Sequence, residues 1–242
     1  MKNHGSDALL RIGFGSTELL AAVTLTDGHE EVSGCCGLPI PGYSVKIVEQ
    51  GTMKEVPPGD LGEICVTGPS VMLGYIGNEE ETSKILKKHD DGEIWFHTGD
   101  VGSVDSKGRL FFASRIKRVV VTSGYNVYPS QIEDILDGDI HVKESCVIGV
   151  PDSQRGEKVV AYVVLNSGIP DTDEVEEAIS RRVEENIASY ARPREYRFVD
   201  SMPKTKLQKI DYRKLEEDYE ARFGSKSPAG RASVSSRSIL FE

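Results

Sequence analysis

Short apolar runs broken by glycine dominate the first hundred residues, the pattern of strands joined by tight turns. Ser44-Val45-Lys46-Ile47-Val48 alternates polar and apolar positions and predicts a strand. Val56-Pro57-Pro58-Gly59-Asp60 predicts the turn after it, and Gly62 to Thr67 the next strand. Glu79 to Lys88 predicts one short helix. Gly102 to Asp105 and Arg109 to Phe112 flank Ser106-Lys107-Gly108, so they predict two strands joined by a turn whose glycine can take positive φ.

Beyond Ser114-Arg115-Ile116-Lys117-Arg118 the rhythm changes. Val119-Val120-Val121 leads to a glycine turn, and Pro129-Ser130 marks the start of a helix carrying Ile132, Ile135 and Leu136. Strands are predicted over Glu144 to Val150 and Lys158 to Leu165. A second helix is predicted from Asp173 to Asn186, with Val175, Ile179 and Val183 at helical spacing. Residues 119 to 220 suffice for an independent small α+β domain. The serine-rich stretch from Gly224 lacks apolar periodicity, and residues 221–242 are expected to form a disordered tail.

With 242 residues the chain can bury a substantial core without metal or disulfide staples. Its 39 acidic and 29 basic residues give a formal charge of −10, opposite in sign to a nucleic-acid-binding face, so no nucleic-acid partner is expected. No stretch approaches the roughly 20 apolar residues that would span a bilayer. The N-terminal Met1-Lys2-Asn3-His4-Gly5-Ser6-Asp7 resembles no secretory signal, and a cytoplasmic location is expected. The four cysteines, Cys35, Cys36, Cys65 and Cys146, show neither a disulfide framework nor zinc-ligand spacing, and are read as reduced, mostly buried thiols.

Three segments carry candidate chemistry. Gly13-Phe14-Gly15-Ser16-Thr17-Glu18 combines close backbone approach, hydroxyl donors and a carboxylate suited to a hard cation. Taken alone, the signal is weak and reads first as a turn capping a helix that begins near Thr17. Trp95-Phe96-His97-Thr98-Gly99-Asp100 places a carboxylate just after a strand, where it can accept from ribose hydroxyls or bond its own turn. His97 has no cysteine or histidine at ligand spacing and is read as a surface or packing residue. Lys204, Lys206 and Lys209 form a basic loop in an acidic protein, able to meet an anionic oxygen or to lie solvated; Lys204 and Lys206 are read as solvated, and composition does not separate Lys209 from them.

In combination and order these segments resemble the adenylate-forming superfamily of acyl-CoA synthetases, peptide-synthetase adenylation domains and luciferases. The resemblance rests on Phe14 to Glu18, on Gly62-Glu63-Ile64 with Gly68, Gly74-Tyr75, Asn78, Glu80 and Thr82, and on Thr98-Gly99-Asp100. It continues through Arg115-Ile116-Lys117, Gly124 to Pro129 with Ile132-Glu133, and Pro203-Lys204-Thr205 ahead of Lys209, covering about residues 10 to 217.

The resemblance implies an α+β chain: the β-rich C-terminal part of the large AMP-binding domain over residues 1–116, then a small mobile α+β domain over 117–220. It implies an AMP-forming acid–CoA ligase that joins a carboxylic acid to AMP with Mg-ATP and passes the acyl group to coenzyme A, with a fatty acid as the expected acid. Carried over by position, Phe14, Gly15, Thr17, Asp100 and Arg115 would bind nucleotide. Glu18 would hold Mg²⁺, Lys117 would be the hinge, and Gly124 and Tyr125 would border the CoA path. Lys209 would bridge the carboxylate and α-phosphate, giving Lys209, Thr17 and Glu18 catalytic roles. Departures are Gln208 for the glycine before the lysine, Ser114 for the glycine before the arginine, and Asn78 for a proline. The family's phosphate-cradling loop is not found, so this stretch is expected to be inactive in adenylation by itself and to work with an N-terminal half or companion chain. The alternatives are a truncated homologue that binds a nucleotide or partner, and an adenylation domain serving a carrier protein.

Overall fold

The computed structural model describes residues 9–28, 32 and 34–223, and the chain divides between Lys117 and Arg118 into two units. The first unit is built on antiparallel strands β1 (Thr24–Leu25), β2 (Cys35–Pro39), β3 (Ser44–Val48), β4 (Gly62–Thr67), β5 (Leu86–Lys88), β6 (Ile94–Val104) and β7 (Leu110–Arg115), with helix α1 (Glu79–Ile85). Their order across the sheet is β1-β2-β7-β6-β4-β3, and β5 pairs with β6. Because successive side chains of a strand point to opposite faces, the apolar run of β4 feeds two cores at once. Ile64 and Val66 join Phe14, Leu19, Ile47, Phe96 and Leu110, whereas Cys65 packs with Val48 and Trp95.

Two expectations are corrected here. The helix expected over 79–88 stops at Ile85, because Leu86 turns extended (φ −99°, ψ 105°) and residues 86–88 are drawn into the sheet by β6. Asp100 was expected just after a strand, yet it lies inside the 11-residue β6, opposite Arg115 of β7. The departure at Asn78 has a local purpose: its side chain caps α1 by accepting the Glu81 N–H at 3.2 Å, as asparagine does well.

The second unit holds β8 (Val120–Thr122), β9 (Tyr125–Val127), α2 (Pro129–Asp137), β10 (Val142–Asp152), β11 (Gly156–Leu165), α3 (Asp173–Asn186), β12 (Glu195–Phe198) and α4 (Tyr212–Phe223). β10 and β11 form a long antiparallel hairpin, β11 continues to β8 and β9, and β12 lies parallel to β11. Alternation along the hairpin again supplies two cores. Val147, Val159, Ala161 and Val163 meet Ile132 and Leu136 of α2 and Ile179 and Val183 of α3. Cys146, Ile148, Val150, Val160, Tyr162 and Val164 meet Leu215 and Tyr219 of α4. A sheet covered by helices on both faces explains why β10 and β11 read as near-continuous apolar runs.

Glu133 of α2 receives the Arg118 guanidinium at 2.5 Å and the Val147 N–H at 2.8 Å, tying the start of this unit to its helix and hairpin. α4 runs to Phe223, three residues into the stretch expected to be disordered, and residues 224–242 of that stretch lie outside the described residues. Among the described residues no helix is long and apolar enough to cross a membrane.

Candidate functional site

In the first unit, Phe14 to Glu18 leads into a 3₁₀ turn, Thr17–Leu19. Gly15 is demanded by packing, since a Cβ there would lie 2.1 Å from the Ala21 carbonyl oxygen. The Phe14 ring is buried in the core beneath the turn, while Thr17 is exposed. Glu18 is held by a segment far along the chain: the Tyr75 hydroxyl donates to its Oε1 at 2.8 Å and its carbonyl accepts the Met72 N–H at 2.9 Å. Burial works against ionisation of Glu18, but hydrogen bonds from its own N–H and from Tyr75, with the charge of Arg115, keep its carboxyl below the ordinary value. Tyr75 as the partner of Glu18 is not derivable from either segment alone, and only the Gly74-Tyr75 motif marks it.

Asp100 and Arg115 face each other across β6 and β7, Arg115 Nε standing 3.4 Å from Asp100 Oδ1. Arg115 is 69% exposed and Asp100 only 14%, so the cation remains free to turn toward a ligand while the carboxylate is fixed. Burial pushes the Asp100 carboxyl above its ordinary value, against the pull of Arg115 and with help from the charges of Glu18 and Glu63. Thr98 orders the approach: its hydroxyl donates to the Ile64 carbonyl at 2.9 Å and accepts the Asp100 N–H at 3.1 Å. The charges of Glu18, Asp100 and Arg115 thus act on one another, although three separate segments carry them. Lys117 is exposed in a 3₁₀ turn, Ile116–Arg118, at the boundary between the units.

His97, read from sequence as a surface or packing residue, is buried and also has two side-chain partners. It is 2% exposed, its Nδ1 lies 2.8 Å from Glu63 Oε2, and its Nε2 lies 3.0 Å from Nε2 of His89. Cys65 stands beside them. Linear spacing hides this cluster, because strand register, pairing Cys65 with His97, creates it. All four cysteines are free and buried, in line with the expectation of reduced thiols.

In the second unit, Ser123 (φ 52°) and Gly124 (φ 82°) form the tight turn between β8 and β9, both in the left-handed region that a two-residue hairpin needs. Tyr125 follows, exposed and stacked on Tyr190 at 4.7 Å between ring centroids. The basic loop is pinned by the Thr205 N–H to the Lys209 carbonyl at 2.7 Å and the Gln208 N–H to the Thr205 carbonyl at 2.9 Å. Lys204, expected to lie solvated, instead pairs with Glu144, whereas Lys206 and Lys209 are both exposed and have no carboxylate partner among the described residues. Gln208 adopts φ 62°, the conformation that glycine takes most readily.

The AMP-binding enzyme profile matches residues 1–76, and that of the AMP-binding enzyme C-terminal domain matches residues 131–209. The chain is 38% identical over 212 residues to a 4-coumarate–CoA ligase-like protein of Oryza sativa subsp. japonica, covering 85% of this chain and 37% of that protein. It is 35% identical over 219 residues to a long-chain-fatty-acid–CoA ligase of Escherichia coli, covering 89% and 37% respectively. Among solved structures, ATP-bound MatB from Rhodopseudomonas palustris superposes with a TM-score of 0.77 at 33% identity, over 88% of this chain and 41% of that one. The chain therefore spans well under half the length of these relatives.

Proposed function

This chain belongs to the AMP-binding, adenylate-forming enzyme family, and we propose that it works as part of an AMP-forming acid–CoA ligase. The reaction would activate a carboxylic acid with ATP as an acyl-AMP, release pyrophosphate, and pass the acyl group to coenzyme A. A fatty acid is the first acid to test. The observation that carries this reading is the convergence of Glu18, Asp100 and Arg115 from three segments onto one patch of the first unit.

Each residue has a task set by its surroundings. The half-buried Asp100 carboxylate would accept hydrogen bonds from the ribose hydroxyls, and the exposed Arg115 would swing to ribose or phosphate oxygens. The exposed hydroxyl of Thr17 would donate to phosphate. Glu18 suits Mg²⁺ because hydrogen bonds, Tyr75's to Oε1 among them, keep its carboxyl below the ordinary value, in the ionised form that a hard cation binds. Mg²⁺ would supply charge neutralisation of the phosphates. Lys209, free of a local carboxylate, would offset the negative charge that builds as a carboxylate oxygen approaches the α-phosphate, and Lys117 would act as the hinge that brings it in. Gly124 and Tyr125, on an exposed hairpin tip, would border the path of the CoA thiol.

The 242-residue chain alone is proposed not to adenylate, the phosphate-cradling residues having to come from elsewhere. The test is acid-dependent pyrophosphate release, followed by CoA-dependent thioester formation, in the protein isolated from its natural source. Activity in both stages with a carboxylic acid supports the reading. Nucleotide binding that neither depends on Asp100 nor leads to pyrophosphate release contradicts it.

A further inference from the structure

Besides the adenylation site, the first unit contains a buried cluster of metal-binding side chains, and we propose that Cys65, His89 and His97 form a zinc site. One ligand atom from each residue lies within 4.8 Å of the others, and the three residues are 0%, 5% and 2% exposed. The adenylation reading uses none of these atoms, and the inference does not depend on that reading.

Backbone structure builds the cluster. Cys65 of β4 is in register with His97 of β6, so their side chains share one face of the sheet. His89 sits just after β5, in a turn closed by its N–H to the Glu93 carbonyl at 3.0 Å and by the Gly92 N–H to its own carbonyl at 2.9 Å. That turn brings its Nε2 within 3.0 Å of Nε2 of His97. Two imidazole nitrogens on one tetrahedral zinc stand about 3.3 Å apart. The pair is therefore already near the spacing that the ion requires.

The chemistry of the surroundings points the same way. Glu63 Oε2, at 2.8 Å from His97 Nδ1, fixes the tautomer that leaves Nε2 unprotonated, the arrangement that orients histidine ligands of zinc. His89 Nδ1 is buried without a hydrogen-bond partner among the described residues, so hydrogen bonding there does not account for this ring. A thiolate with two imidazoles suits a borderline-soft ion and not Mg²⁺ or Ca²⁺, which prefer oxygen. Charge also balances: the divalent ion is matched by one thiolate and by the Glu63 carboxylate behind His97. On binding, the Cys65 S–H bond breaks, the sulfur–zinc bond forms, and the thiol proton leaves to solvent. The proton shared between the two Nε2 atoms moves to His89 Nδ1. The fourth tetrahedral position is left to water or another small ligand.

Glu63 also accepts the Gly99 N–H at 3.2 Å. Zinc would therefore stiffen the backbone immediately before Asp100.

The test is a cobalt titration of the full, chelator-treated chain, followed by absorption, with zinc content measured in parallel. One equivalent of cobalt should give a thiolate charge-transfer band and intense tetrahedral d–d bands, both displaced by one equivalent of zinc. Cys65→Ser should lose the thiolate band, and His89→Asn should weaken binding at least 10-fold, while Cys36→Ser should leave the spectrum intact. Should Cys65→Ser fail to fold by circular dichroism, His89→Asn, placed in a turn, carries the same comparison. Absence of the bands from the wild-type chain, or their persistence unchanged in the folded variants, overturns the proposal.

Discussion

At the scale of single residues, the proposed ribose-binding role and stability pull Asp100 in opposite directions. Burial raises its carboxyl above the ordinary value, so ionisation at neutral pH costs stability, a cost relieved as pH falls through the folded value. Asp100→Asn should therefore leave the melting temperature unchanged or raise it by roughly 1–3 °C. The same variant should weaken nucleotide binding about 10- to 100-fold, as expected for losing hydrogen bonds to a charged group. Calorimetric titration with AMP beside a thermal melt reads both, and a large loss of stability would contradict this account. Gln208 is the second case. Its φ of 62° favours glycine, so Gln208→Gly should be neutral or stabilise by about 0.5–1 kcal/mol in urea unfolding. Some of this was legible in sequence: Glu18, Asp100 and Lys209 stand in segments whose residue types suggest anion and cation binding. The Cys65–His89–His97 cluster was not legible, because no linear spacing encodes a contact made by strand register.

At the scale of elements, one carboxylate of β12 links that strand to β11 and α4, in addition to its pairing with β11. Glu195 Oε2 accepts from Lys158 Nζ of β11 at 3.0 Å and from the Tyr219 hydroxyl of α4 at 2.8 Å, and Glu195 also pairs with Arg197. Burial tends to raise its carboxyl, but the bonds from Lys158 and Tyr219 and the charge of Arg197 outweigh that and hold it below the ordinary 4.5. A depressed carboxyl contributes stability fully above its unfolded value and loses it as pH falls through the folded one. The second unit should thus weaken progressively below about pH 4.5. In urea unfolding across pH, Glu195→Gln should flatten that loss and cost roughly 1–3 kcal/mol at pH 7; an unchanged pH profile would refute the assignment. The long elements here were the readable ones: α3 matches its predicted span of Asp173 to Asn186, and the β10–β11 hairpin announces itself in two apolar runs. Residues 86–88 misled because a short strand borrows its stability from a neighbouring strand, which local pattern does not record.

At the scale of the whole molecule, the two units differ in how completely they cover their sheets. The second packs helices against both faces of its sheet, whereas α1, the one α-helix described in the first, has no buried residue. Limited trypsin digestion should therefore cut near the exposed Lys117 and spare roughly residues 119–220, in keeping with local stability following buried contact. Equal resistance along the chain would count against that difference. The central claim is that Glu18, Asp100, Arg115 and Lys209 serve one adenylation reaction. Exchange of labelled pyrophosphate into ATP, measured with the protein as isolated from its source, tests this most directly. The account predicts exchange that requires a carboxylic acid and falls at least about 100-fold in Lys209→Ala. Acid-dependent exchange unaffected by Lys209→Ala and Asp100→Asn, or no exchange with any carboxylic acid, would contradict it.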